Sequence, residues 1–206
     1  MKIALLGAEC TGKTQLARDL AEHLCKQGKR AEVVPEVLRE WCTREGREPR
    51  PEEQLPIARD QEARVEAATA RAGIVIADTT ALMVAIYSGM AFADGELFCF
   101  AWDRQRRYDA TLLCALDLPW VADGLQRIGP EVRESVDAQI RQALARAGVP
   151  YRVVYGQGAE RLRNALAAIA PAEITNQRQP WTWSCEKCGD ADCEHRLFTS
   201  MMGRRT

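Results

Sequence analysis

Short apolar runs at residues 2–6, 31–35, 74–78, 111–116 and 151–155 punctuate the chain. Between them, longer stretches repeat apolar residues at helical spacing and are rich in strong helix formers, most clearly at 13–27, 54–71, 81–90 and 131–147. Strands alternating with helices of this length predict an α/β protein, with a mostly parallel five-stranded sheet and helices on both faces. In such sheets ligands bind beyond the carboxyl ends of the strands. All five runs are followed at once by residues able to do chemistry: a glycine-rich loop, Glu36, Asp78-Thr79-Thr80, Asp117, and Gly156-Gln157-Gly158. After about residue 170 the periodicity stops, and proline, asparagine and glutamine lead into a cysteine-rich tail. The expected organisation is therefore one α/β domain over 1–170 and a small tail over 171–206 packed on it.

Composition narrows the function classes. The 28 basic and 29 acidic residues nearly cancel, so no global field attracts nucleic acid or anionic membrane. No apolar run approaches the roughly 18 residues that a membrane span needs, and no secretory leader is expected ahead of the glycine-rich loop. A soluble cytoplasmic protein is expected. In that reducing setting Cys10, Cys25, Cys42, Cys99 and Cys114, scattered through the regular segments, are expected to be free thiols.

The first glycine-rich stretch is Gly7-Ala8-Glu9-Cys10-Thr11-Gly12-Lys13-Thr14, a full G-x-x-x-x-G-K-[ST] loop set between a strand and a helix. Gly7 and Gly12 permit the tight bend that turns the amides of Glu9, Cys10 and Thr11 inward on a phosphate, while Lys13 reaches the outer phosphates and the Thr14 hydroxyl ligates magnesium. The following helix adds its positive dipole end. This is a nucleoside-triphosphate site, and the fold it belongs to is the P-loop NTPase type. Asp78, ending the run Ile74-Val75-Ile76-Ala77, is placed to support the metal, or else to cap the next helix with Thr79 and Thr80. Glu36 is placed to orient or deprotonate an acceptor hydroxyl, with Arg39 one helical turn along; the other reading is a first-turn acid with a surface partner. Arg127 and Arg133 are candidates to neutralise a migrating phosphoryl group, or are plain solvated arginines.

Taken in order, Gly-x-Glu-x-x-Gly-Lys-Thr, Val34-Pro35-Glu36-x-x-Arg39-Glu40, Gln61 in a long helix, Asp78-Thr79-Thr80, Tyr108-Asp109-x-Thr111-Leu112-Leu113 and Pro119-Trp120-x-x-Asp123-Gly124-x-x-Arg127 resemble the ribosylnicotinamide-kinase domain of NadR-type proteins. The resemblance covers about residues 1–170 and implies a nucleoside-kinase-like domain with an arginine-bearing lid. It implies that ATP and Mg²⁺ are used to phosphorylate the 5′-hydroxyl of nicotinamide riboside. Gly12, Lys13 and Thr14 would then hold phosphate and metal, with Asp78 as metal support; Glu36, Arg39 and Gln61 would line the nucleoside side. Trp120, Asp123 and Arg127 would belong to substrate closure, and Gly156 and Gly158 to the adenine position. In two respects the chain departs from the family. No adenylyltransferase or DNA-binding module is expected upstream of the loop, and Val37 stands where the family commonly has an aromatic residue.

In the tail, Cys185, Cys188, Cys193 and His195 form C-x₂-C-x₄-C-x-H, three thiolates and an imidazole suited to one structural zinc ion; a redox Cys-x-x-Cys or incidental thiols are the alternatives. A DNA-binding zinc protein fits poorly with the acidic Glu186, Asp190, Asp192 and Glu194. Two function classes remain, a small-molecule kinase with a nucleoside as its partner and a regulatory P-loop ATPase. The motifs favour the kinase, because no Asn-Lys-x-Asp base-reading signature of a GTP switch is present.

Overall fold

A computed structural model describes residues 1–91, 95–121 and 131–170. Within them the chain runs β1 (Lys2–Leu6), α1 (Lys13–Lys26), β2 (Ala31–Val34), α2 (Val37–Glu45), α3 (Pro51–Thr69), β3 (Ile74–Asp78), α4 (Ala81–Ala91), α5 (Gly95–Gln105), β4 (Ala110–Cys114), α6 (Val132–Ala147), β5 (Arg152–Val154) and α7 (Gly158–Ile169). The strands form a single five-stranded sheet, all parallel, in the order β2-β3-β1-β4-β5.

The strand sequences divide their side chains between two cores by simple alternation. On one face Ile3, Leu5, Ile76, Leu112, Cys114 and Val154 pack against Leu16, Leu20 and Leu24 of α1 and Ala165 of α7. On the other, Leu6 and Leu113 join the near-continuous apolar surface of α4 from Ala81 to Ile86, with Leu97, Ile140 and Leu144 from α5 and α6. A smaller cluster seats Val65 and Ala68 of α3 on Val34, Val75 and Ala77. Because both faces are covered, β1, β3 and β4 read as mainly apolar runs, broken within β4 only by the hydrogen-bonded Thr111.

Element ends explain the differences from the sequence expectation. The second strand stops at Val34 and not at residue 35, since Pro35 lacks the amide a strand would use. Helix α3 begins at Pro51, three residues earlier than the periodicity suggests, because proline is well suited to the first helical position. There Glu53 takes the Arg50 amide at 2.7 Å and a forked pair of bonds from Arg47, both 2.7 Å.

The register fixes the functional edge. Leu5 lies opposite Asp78, and Val34 opposite Ala77. The ends of β1, β2 and β3 thus release the glycine-rich loop, Glu36 and Asp78 at the same rim. Helix α1 leaves β1 toward the face opposite the helices that follow β3 and β4, so the loop lies where the connections part, the usual ligand crevice of open α/β sheets. No helix among the described residues is long and apolar enough to cross a membrane.

Candidate active site

The glycine-rich loop has the backbone its sequence requires. Gly7 has φ 154°, Cys10 φ 55° and Gly12 φ 72°. A methyl at Gly7 would come within 2.6 Å of Thr11 Oγ1 and 3.1 Å of Cys114 Cβ, and one at Gly12 within 2.8 Å of Leu118 Cδ1. Thr11 braces the turn by donating to the Ala8 carbonyl at 2.8 Å. Lys13, nearly buried, donates from Nζ to the carbonyls of Gly7 and Ala8 at 2.8 and 2.9 Å, which holds the ammonium over the loop. Helix α1 starts behind it with no side-chain cap and no acid in its first turn, leaving its first amides and positive end facing the loop.

Asp78 closes β3 at 2% exposure, and its Oδ1 has no hydrogen-bond partner among the described residues. It does not cap α4. The Leu82 amide bonds to Thr80 Oγ1 at 3.2 Å, and the Ala81 amide to Glu62 Oε1 of α3 at 2.9 Å. Thr80 also donates to Gln105 at 2.7 Å, and Gln105 to Thr111 at 3.0 Å, a buried chain that fixes the cap. Thr79, between Asp78 and that cap, sits at φ 85°, a costly conformation for a β-branched residue.

Glu36 precedes α2 and pairs with Arg39 at 2.9 Å. Arg39 reaches back to the Thr14 hydroxyl at 3.4 Å, so one guanidinium joins α2 to the start of α1. Burial raises the Glu36 carboxyl, Lys13 and Arg39 draw it back, and Asp78 adds to the rise. Gln61, at 1% exposure, uses both ends of its amide on the turn that carries Glu36. Its Oε1 accepts from the Val37 amide at 2.9 Å and its Nε2 donates to the Pro35 carbonyl at 3.3 Å. The geometry thus brings Lys13, Thr14, Glu36, Arg39, Asp78 and Gln61 together.

The remaining expected residues are distributed as follows. Arg133, in α6, is buried and donates to the Leu116 carbonyl at 3.4 Å, so it is not a solvated surface arginine. Trp120 is half-buried, with its indole N–H lacking a partner among the described residues. Next to it the Val121 backbone meets the Cys10 thiol in the glycine-rich loop, 3.2 Å at the carbonyl and 3.4 Å at the amide. Gly156 and Gly158 have φ 91° and 50° and form the turn from β5 into α7. Asp123, Arg127, Cys185, Cys188, Cys193 and His195 lie outside the described residues, as does the expected 171–206 tail. Among the described residues no group of three metal-ligating side chains clusters.

Tyr87 and Arg161 were not singled out by the sequence. Tyr87 of α4 stands close enough to Glu9, Glu36 and Arg39 to feel their charges, and burial pushes its hydroxyl well above its usual range. Arg161, in the first turn of α7, is 4% exposed and donates to the Thr11 carbonyl at 2.7 Å. One signal was available for it: a cation in a helix's first turn opposes the dipole and calls for another reason to be there.

This sheet order with a G-x-x-x-x-G-K-T loop after its central strand defines a P-loop protein of nucleoside-kinase-like fold. The family profile described as AAA domain matches residues 2–161, and the chain belongs to that family. No curated protein sequence gives a significant match. Among solved structures, the NadR protein in complex with NR is similar at TM-score 0.65 and 20% identity, over 82% of this chain and 50% of that one. The NadR protein with NAD and AMP-PNP is similar at TM-score 0.62 and 20% identity, over 82% and 48%. Deoxyadenosine kinase from M. mycoides, with dCMP and dCDP, is similar at TM-score 0.53 and 16% identity, over 81% and 96%. The chain therefore spans about half the length of the NadR structures and nearly the whole length of the deoxyadenosine kinase.

Proposed function

We propose that the chain is an ATP-dependent kinase that phosphorylates the 5′-hydroxyl of nicotinamide riboside or a related nucleoside. The observation that carries this reading is the meeting of Lys13, Thr14, Glu36, Arg39 and Asp78 at one sheet rim, with a buried Asp78 oxygen that no described residue satisfies. The NadR and deoxyadenosine kinase structures, in complex with NR and with deoxynucleotides, support a nucleoside acceptor.

In this reading the loop amides, Lys13 and the α1 N-terminus bind the triphosphate. A hard cation wants oxygen ligands, and the Asp78 carboxylate with the Thr14 hydroxyl supplies them, so these residues would hold Mg²⁺. The metal, when bound, neutralises charge on the phosphate oxygens. Glu36 accepts the proton of the acceptor hydroxyl while that oxygen bonds to the γ-phosphorus; the bond to the bridging oxygen breaks, and ADP leaves. Arg39, between Glu36 and Thr14, supplies positive charge beside the transferring group. Gln61 acts through the backbone of Pro35 and Val37 on either side of Glu36, Tyr87 offers an aromatic face, and Trp120, Asp123, Arg127 and Arg133 are assigned to the acceptor and lid side. Gly156 and Gly158 are assigned to the base.

ADP release from ATP–Mg²⁺, measured with and without a panel of ribosides, tests this. Strong stimulation by one riboside is expected. Basal turnover unchanged across the panel would overturn the kinase and favour a regulatory ATPase, while Lys13→Ala should abolish turnover in either case.

For the tail we propose structural zinc on Cys185, Cys188, Cys193 and His195. About one zinc per chain is expected by metal analysis, reduced in Cys188→Ser. A metal-free native protein would remove this proposal.

A further inference from the structure

The buried Arg161 and the more exposed Asp117 build a polar junction that none of the roles assigned above uses. The Arg161 guanidinium donates from one nitrogen to the Thr11 carbonyl at 2.7 Å. From the other it donates to Asp117 Oδ1 at 2.9 Å and to the Gly156 carbonyl at 2.7 Å. The second Asp117 oxygen accepts the Gly156 amide at 2.6 Å. Three segments meet on one planar fork: the glycine-rich loop, the exit of β4, and the turn between β5 and α7. Burial pushes the Asp117 carboxyl up, but the Arg161 and Gly156 hydrogen bonds outweigh it and hold the group below its usual range. Arg161 is also close to the buried Cys114 thiol, which lies directly behind Gly7.

Burying a guanidinium is expensive unless it is paired; here both terminal nitrogens are paired while Nε has no partner among the described residues, and the planar fork fixes angles as well as distances. It bonds to main-chain carbonyls on the two loops that a nucleotide would touch at opposite ends, phosphate and base. We infer that Arg161, held by Asp117, is a positioning residue that sets the separation of the phosphate subsite and the base subsite, so that a nucleoside triphosphate engages both at once. Binding at linked subsites gains affinity only while their spacing matches the ligand. The inference rests on the nucleotide-site reading; its test needs no phosphoryl transfer.

The test compares ATP with inorganic tripolyphosphate, which occupies the phosphate subsite alone, in wild type, Arg161→Lys and the milder Asp117→Asn. Calorimetry on folded protein gives both dissociation constants. In wild type ATP should bind more tightly than tripolyphosphate. In the variants that advantage should shrink at least about tenfold, while tripolyphosphate affinity changes little. A folded variant that keeps the wild-type ratio, whatever its melting temperature, overturns the inference alone. Wild type that binds neither ligand overturns the nucleotide site and this inference together.

Discussion

At Asp78 the substitution Asp78→Asn keeps the side-chain shape and removes the charge without disturbing the α4 cap, which belongs to Thr80 and Glu62. Turnover should fall about 100-fold or more, and the magnesium requirement should rise, with circular dichroism unchanged. A variant with wild-type turnover would remove Asp78 from the mechanism. Glu36 gives a different readout. Burial raises its carboxyl from the ordinary value of 4.5, against the pull of Lys13 and Arg39. A base works only when ionised, so kcat/KM should increase as pH rises through this raised value, and the acidic limb should lie above the ordinary carboxylate range. Glu36→Gln should erase that limb from the residual activity. The loop residues and both acids were legible in the sequence, because each stands directly after an apolar run. Arg161 was not, since its partners lie up to 150 positions away and nothing local marks them.

Among the elements, α3 has the least obvious duty. It packs β2 and β3, and from its buried side it sends Gln61 to the turn before α2 and Glu62 to the start of α4. Consecutive residues thereby hold the two segments that carry Glu36 and follow Asp78. Gln61→Ala should loosen the Glu36 turn and lower kcat roughly tenfold, a cost in keeping with misplacement of a reacting group, while the KM for ATP stays close to wild type. If the KM for ATP moved and kcat did not, Gln61 would belong to the nucleotide side instead. The sequence marked Gln61 for the nucleoside side, but its engagement with backbone depends on how α2 and α3 pack. Pairing of that kind is set by tertiary contact and leaves no periodic trace. The strands, by contrast, were plain, because a sheet covered on both faces demands continuous apolar runs.

For the molecule as a whole, the site joins elements from both ends of the described domain, so ligand and fold should stabilise each other. A ligand present at 100 times its dissociation constant adds about 2.7 kcal/mol. In a domain of this size that corresponds to an increase of about 5–10 °C in melting temperature. ATP–Mg²⁺ should produce such a shift in wild type and not in Lys13→Ala. An equal shift in both proteins would locate nucleotide binding elsewhere. The parallel architecture was readable from alternating strand and helix patterns. The strand order was not, because apolar runs record burial and say nothing of which neighbour each strand takes.

That order bears on synthesis at the ribosome. Of the five strands of this sheet, the first made is the central one, and its two neighbours, β3 and β4, are completed only at residues 78 and 114. The carbonyl of Thr11 then waits for a donor 150 residues downstream. A nascent domain carries the whole G-x-x-x-x-G-K-T motif well before the rest of its sheet, yet gains a finished cradle for it only once α7 has emerged.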